Sequence, residues 1–215
     1  MSVEVFLAEL DDQNARALAR IGAAASREPG PELTVASLLL LALKNEIEAT
    51  ECAAAWIAKS REIDVKLALA RQAGDEAKHY RLIEKRLGEL GVDTASYDPG
   101  PASPMLQYLA ALETTVERVA AGQFTREALA VVRNEEFVRF CVSRGDHATA
   151  TLYTDVIQPD EKHHHELGRR LLGRLATTSE AQDLARSASR RTLDLAEELQ
   201  EIARIKLGVS RAPGC

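Results

Sequence analysis

The chain has 215 residues, 46% of them hydrophobic but only 4% aromatic, and a formal net charge of −6 at pH 7. Its length suits a single domain over 1–215 with one well-filled core, its Ala- and Leu-rich make-up favours an all-α fold, and its acidic balance argues against nonspecific nucleic-acid binding. Cys52, Cys141 and Cys215 are odd in number and widely spaced, which argues against a disulfide framework or a Cys-x-x-Cys iron site and fits the cytoplasm.

Residues 2–27 read as one helix or two short ones, closed by the break Arg27-Glu28-Pro29-Gly30-Pro31. A helix over 34–59 follows. Its apolar start, residues 35–43 with a single Ser, is far short of the ~20 residues that span a membrane, so no membrane partner is expected. Leu39, Leu43, Glu46, Thr50, Ala53 and Ile57 recur at helical spacing, and Glu46 interrupts an otherwise apolar or small face. Glu48 and Glu51 fall off that stripe and are expected in solvent or in ion pairs.

After Ser60-Arg61-Glu62 a second helix runs over 63–90 and carries Asp75-Glu76-Ala77-Lys78-His79. Residues i and i+3 share a helix face, so Glu76 and His79 direct a carboxylate oxygen and an imidazole nitrogen at one point. Counted from residue 61, Glu46 and Glu76 are each 15 residues away. Equal rise sets them face to face across an antiparallel hairpin.

Residues 91–104 hold three prolines and two glycines and read as a long crossover that lets the next helix run parallel to the one before it. The third helix starts near Met105, with a break expected at Gly122-Gln123-Phe124-Thr125, where Thr125 would cap a fresh start. Glu127, Val131, Asn134, Val138 and Cys141 form its inward stripe. Glu135 and Glu136 are the alternate acids, roughly 12–14 Å nearer the next turn.

That turn falls at Ser143-Arg144-Gly145-Asp146, with His147 starting the fourth helix, and from residue 144 Glu127 and Glu161 are each 17 residues away. Asp160-Glu161-Lys162-His163-His164 repeats the earlier motif, with His164 at i+3. His165 is an alternate at i+4, and His163 should point outward. Pro159 predicts either a kink or a helix start just before Glu161. Arg169, Arg170 and Arg174 form a local basic patch. Residues 178–207 read as a further long helix that packs across the others or makes a homodimer contact, and the tail 208–215 is expected to be loose.

Glu46, Glu76-x-x-His79, Glu127 and Glu161-x-x-His164, with 30 and 34 residues between the glutamates of each half, resemble the ferritin-like di-iron carboxylate superfamily. It includes ferritins, bacterioferritins, rubrerythrins, the ribonucleotide reductase small subunit, bacterial multicomponent monooxygenases and tRNA hydroxylases. The resemblance covers 34–175. It implies a ferritin-like four-helix bundle over 34–176 with a long crossover, flanked by an N-terminal helical extension (1–31) and a fifth, C-terminal helix (178–207). It also implies two Fe ions, with Mn as the competing metal, held by Glu46, Glu76, His79, Glu127, Glu161 and His164, the bridges being Glu76 and Glu161. In such families the Asp before each Glu-x-x-His accepts a hydrogen bond from the His of the opposite half, which pairs Asp75 with His164 and Asp160 with His79.

The implied activity is that of an O2-dependent di-iron oxidoreductase such as a monooxygenase, oxidising or hydroxylating a small or medium organic substrate with electrons from an unidentified donor. A ferroxidase, peroxidase or iron-handling protein is the second reading. The third is a non-catalytic helical scaffold with its motif residues exposed. A tRNA substrate would require a basic surface beside the site. Tyr80, Tyr153 and Trp56 lie near the motifs in sequence and are read as core.

Overall fold

The computed structural model describes residues 1–25, 33–207 and 213–214, and every regular element among them is helical. The helices are α1 (Val3–Ala25), α2 (Val35–Lys59), α3 (Ile63–Glu89), α4 (Pro104–Ala110), α5 (Thr115–Arg118), α6 (Glu127–Ser143), α7 (His147–Leu152), α8 (Gln158–Leu175) and α9 (Ser179–Leu207). Wide π turns, Val119–Arg126 and Tyr153–Ile157, join α5 to α6 and α7 to α8, so 115–143 and 147–175 each run without interruption. No helix among the described residues is long and apolar enough to cross a membrane.

A capping box starts α2: Ser37 N donates to Thr34 Oγ1 and Thr34 N to Ser37 Oγ, both at 3.1 Å. It ends at Ser60, whose N–H and hydroxyl both donate to the Trp56 carbonyl. The short turn that follows reverses the chain, and α3 packs against α2 along its length. The Pro-rich connection then runs along α2, because Lys44 donates to the carbonyls of Pro99 and Pro101 and the Tyr97 hydroxyl donates to Leu40 O.

Two local expectations need correction. The third helix does not break near Gly122. The break lies earlier, at residues 111–114, where Thr114 and Glu117 form a capping box for α5 and the Arg118 guanidinium donates to the carbonyls of Lys59, Leu112 and Glu113. Thr125 is not a cap. It sits in a closed, buried ring with Asn14 of α1 and Ser189 of α9, at 3.1, 2.7 and 2.8 Å around the ring. Pro159 stands in the first turn of α8, directly after the π turn, in line with a helix start, one of its two readings. The carbonyl that its ring would strike belongs to Asp155, one turn back, and Asp155 lies in the π turn, where wider winding displaces that carbonyl.

Two apolar clusters fill the interior, one built on Phe6, Trp56, Leu69, Phe124 and Leu172 and the other on Leu39, Leu43, Ile83, Phe137 and Tyr153. Along α2, along α3 and along the continuous stretch 147–175 one cluster gives way to the other at the motif residues. The motif glutamates and histidines therefore form a buried polar layer between two dry ones.

Helix α9 crosses the outside of the first π turn and touches α1 and α5, in line with the expected packing of 178–207, while Ile202 and Ile205 stay exposed. The expected Arg27 to Pro31 break lies outside the described residues, as does the tail apart from Pro213 and Gly214. Those two are buried, so the tail is not loose there.

Candidate metal centre

The polar layer holds two groups of potential metal donors: Glu46, Glu76, His79 and Glu161 in one, and Glu76, Glu127, Glu161 and His164 in the other. All six side chains are buried, and Glu76 and Glu161 belong to both groups. Each shared carboxylate divides its oxygens between the two histidines. Glu76 places Oε2 3.3 Å from His79 Nδ1 and Oε1 3.6 Å from His164 Nδ1; Glu161 places Oε1 3.9 Å and Oε2 3.7 Å from the same two atoms. Glu46 lies 3.4 Å from His79 Nδ1 and Glu127 lies 3.5 Å from His164 Nδ1, one on each flank.

These separations decide between plain hydrogen bonding and a shared cation. A good N–H···O bond is near 2.9–3.0 Å, whereas ligands held about 2.0–2.2 Å from one ion stand roughly 3.0–3.6 Å apart. Most of the distances here fall at or near the second range. Glu46 Oε1 and His164 Nδ1 are moreover buried without a hydrogen-bond partner, a costly state for polar atoms unless they meet a cation. These buried Glu/His clusters can hold metal.

Electrostatics agree. Burial, opposed by the hydrogen bond to His79 and reinforced by the Glu76 charge, lifts the Glu46 carboxyl to about 7. Burial with Glu76 and Glu127 alongside pushes Glu161 well above the carboxylate range. Glu127 goes the other way: despite burial, the hydrogen bond from Glu161 and the neighbouring His164 draw it down to about 2. Burial disfavours charge on both imidazoles, yet the surrounding carboxylates raise His79 to about 12 and His164 to about 9. Without a cation the cluster thus gathers protons to offset its own acidity.

Each imidazole turns Nδ1 to the centre and Nε2 to an aspartate of the other motif. His79 Nε2 donates to Asp160 Oδ2 at 3.1 Å, and His164 Nε2 donates to Asp75 Oδ2 at 3.0 Å. Each aspartate is in turn gripped by a half-exposed cation, Lys78 on Asp160 and Arg71 on Asp75. A carboxylate that accepts at Nε2 leaves the Nδ1 lone pair for a metal.

The alternates fall elsewhere. Glu135 is exposed, Glu136 pairs with Arg139, and neither joins the donor groups. His165 is not in the cluster; its Nδ1 donates to Phe124 O at 2.7 Å and its ring stacks on Phe124. His163 points into a surface groove with Arg71, Arg170 and Arg174. Glu51 is exposed, but Glu48 is buried, held by Lys44 and by the amide and hydroxyl of Ser103.

Two residues of the site escape a reading of motifs. Gln72 Nε2 donates to Glu127 Oε1 at 2.6 Å and lies 3.4 Å from Glu76 Oε1, tying the halves together; its place one turn before Glu76 on the same face is the signal that could have found it. Tyr153 is fully buried, senses the Glu46 and Glu161 charges, and has a hydroxyl with no hydrogen-bond partner. Comparison of the chain with protein-family models, with curated proteins and with solved structures finds no match.

Proposed function

We propose that this protein is a ferritin-like di-iron carboxylate protein that activates O2 to oxidise or hydroxylate an organic substrate. The observation that carries the reading is the sharing of Glu76 and Glu161 between two donor groups, each completed by its own Glu and His. Four carboxylates and two imidazoles suit Fe, with Mn as the competitor, because hard oxygen donors and one nitrogen per metal match ions that lean to octahedral geometry. Glu46 and His79 would hold one ion and Glu127 and His164 the other, with Glu76 and Glu161 between them. Iron so bound supplies O2 binding and reduction, and a hydroxylation would take two further electrons and two protons from an external reductant and solvent.

The chain's own side chains prepare that chemistry. Asp75 and Asp160 fix the imidazole tautomers, Gln72 holds Glu127, and the two apolar clusters keep bulk water from the layer. A scaffold reading loses ground because it needs the motif residues exposed, and all six are buried. The iron-handling reading needs an acidic approach, whereas Lys78 and Arg71 cover the surface outside the histidines. In the groove beside His163, Arg71 and Arg174 are already paired with Asp75 and Asp64, which leaves little free basic surface for a tRNA.

Elemental analysis of the purified protein tests the proposal. About two Fe or Mn per chain are expected, the count for a shared-carboxylate pair, with loss of metal in Glu76→Ala and His164→Ala. Uptake of O2 by the Fe2+-loaded protein should then follow. A wild-type protein that stays empty after anaerobic Fe2+ loading sinks the reading. Asp75→Asn should lower metal affinity about 10- to 100-fold while leaving the ligands in place, as read by competition with a chelator; unchanged affinity would deny Asp75 its orienting role.

A further inference from the structure

Pro213 and Gly214 are buried beside Glu46, bridging α2 and α6. Asn45 Nδ2 on α2 donates to the Pro213 carbonyl at 2.9 Å, and Gly214 N donates to Asn134 Oδ1 on α6 at 2.8 Å. One asparagine reads a carbonyl and the other an N–H, the two faces that an extended backbone presents. Asn45 directly precedes Glu46, and Asn134 lies two turns beyond Glu127 on the inward stripe, so the clamp belongs to the same helices as the two flanking glutamates.

The fit favours glycine. Gly214 has φ +83°, a region that other residues rarely adopt. A Cβ there would stand 3.2 Å from Glu46 Oε1 and 3.4 Å from Asn45 Cβ. Glu46 could swing aside in the free protein, but a Glu46 fixed on a metal could not. Glu46 Oε1 and Asn134 Nδ2 are both buried without hydrogen-bond partners, as is the Tyr153 hydroxyl. The Gly214 backbone thus occupies ground bordered by Glu46 and Asn134, both with unused bonding capacity, next to the candidate centre.

The other sides of the polar layer are closed by heavier construction. The two apolar clusters cover its ends, and Asp75 and Asp160, with Arg71 and Lys78 on them, cover the outer edges of the histidines. Among the described residues, the Glu46 side is covered by a dipeptide held through two side-chain hydrogen bonds.

We propose that Pro213 and Gly214 form an intramolecular stopper over the Glu46 side of the metal centre, clamped by Asn45 and Asn134, and that metal ions and small polar reactants enter through the space it fills. The inference rests on the metal reading of the site. Displacing the stopper leaves the Asn45 and Asn134 amides to receive a reactant rich in donors and acceptors.

The test uses the full chain with Asn134→Ala, which removes the acceptor for Gly214 N, and Gly214→Val, which strikes Glu46 and Asn45. Amide hydrogen exchange by NMR on metal-free protein comes first. Gly214 N–H should be protected in the wild type and lose at least tenfold of that protection in Asn134→Ala; an unprotected amide in the wild type overturns the stopper whether or not metal binds. Rapid mixing with Mn2+ alone, followed by loss of the EPR signal of the aqueous ion, comes second, and uptake should be at least tenfold faster in both variants. Uptake at the wild-type rate in both overturns the stopper while leaving the metal reading intact. A wild type that takes up no Mn2+ or Fe2+ although Gly214 is protected overturns the metal reading, and the stopper with it. Thermal melts of both variants show whether the fold is kept, and Asn134→Ala carries the test if Gly214→Val does not fold.

Discussion

Metal-free protein should lose stability as the pH rises from 6 to 8.5, while the metal-loaded protein gains it. The sign follows from four groups whose folded pKa is raised. Glu46 moves from an ordinary 4.5 to about 7, His164 from 6.5 to about 9 and His79 from 6.5 to about 12, and Glu161 is raised with them. Each holds a proton in the native cluster that the unfolded chain would release. Their contribution is complete below the unfolded pKa and drains away as pH rises toward the folded one. Glu127 works in the opposite direction, present above 4.5 and lost as pH falls toward 2. The metal-free optimum therefore lies near pH 4.5, where the Glu127 contribution is complete and those of Glu46 and Glu161 have only begun to drain.

Above it, each proton so held costs about 1.4 kcal/mol per pH unit, and two histidines in a chain of this size can lower Tm on the order of 10 °C. Metal binding demands the reverse charge state, with neutral imidazoles and ionised carboxylates, so affinity should rise about tenfold per pH unit for each proton expelled. Melting curves with and without Mn2+ from pH 5.5 to 8.5 should diverge with pH, and calorimetric titration in buffers of different ionisation enthalpy should count the protons released. Parallel curves and no proton release would mean that the six side chains do not act as one metal-competing acid–base cluster.

Much of this centre is legible in the sequence because helices count evenly. Fifteen residues on either side of residue 61 bring Glu46 level with Glu76, and seventeen on either side of residue 144 bring Glu127 level with Glu161. The exchange of aspartates between the halves comes from the family resemblance rather than from counting. Where the backbone departs from regular winding, less is legible. Pro159 reads as a kink or a helix start, and it is the π turn before it, which no local pattern announces, that sets it in the first turn of α8. Thr125 looks like a cap from its neighbours in sequence, but its partners Asn14 and Ser189 are 111 and 64 residues away. Pro213 and Gly214 follow no periodicity, and their burial depends on Asn45 and Asn134, far away in the chain. Local pattern reports helix faces well and reports long-range polar pairing hardly at all.

Gly168→Ala should destabilise the protein even though Ala is the better helix former. A Cβ on Gly168 would stand 2.6 Å from Gln123 C, 2.7 Å from its carbonyl O and 2.7 Å from Phe124 N. All three are backbone atoms of the first π turn, so no rotamer change relieves the contact and α8 must move as a body. Overpacking of this kind costs about 1–3 kcal/mol or more, which exceeds the gain of roughly 1 kcal/mol expected from replacing a mid-helix Gly by Ala. Gly74 supplies the control: it lies within α3 with nothing inside 4 Å of its would-be Cβ, so Gly74→Ala should stabilise where Gly168→Ala destabilises. The effect should also reach the metal. Gly168 is one turn beyond His164, and the turn it presses against runs directly into Glu127, so the closeness of α8 to that turn sets how far Glu161 and His164 stand from Glu127. Urea unfolding of the metal-free variants reads the first effect, and Mn2+ affinity reads the second. If Gly168→Ala matched Gly74→Ala in both, the close approach of α8 would have no part in setting the spacing of the ligands.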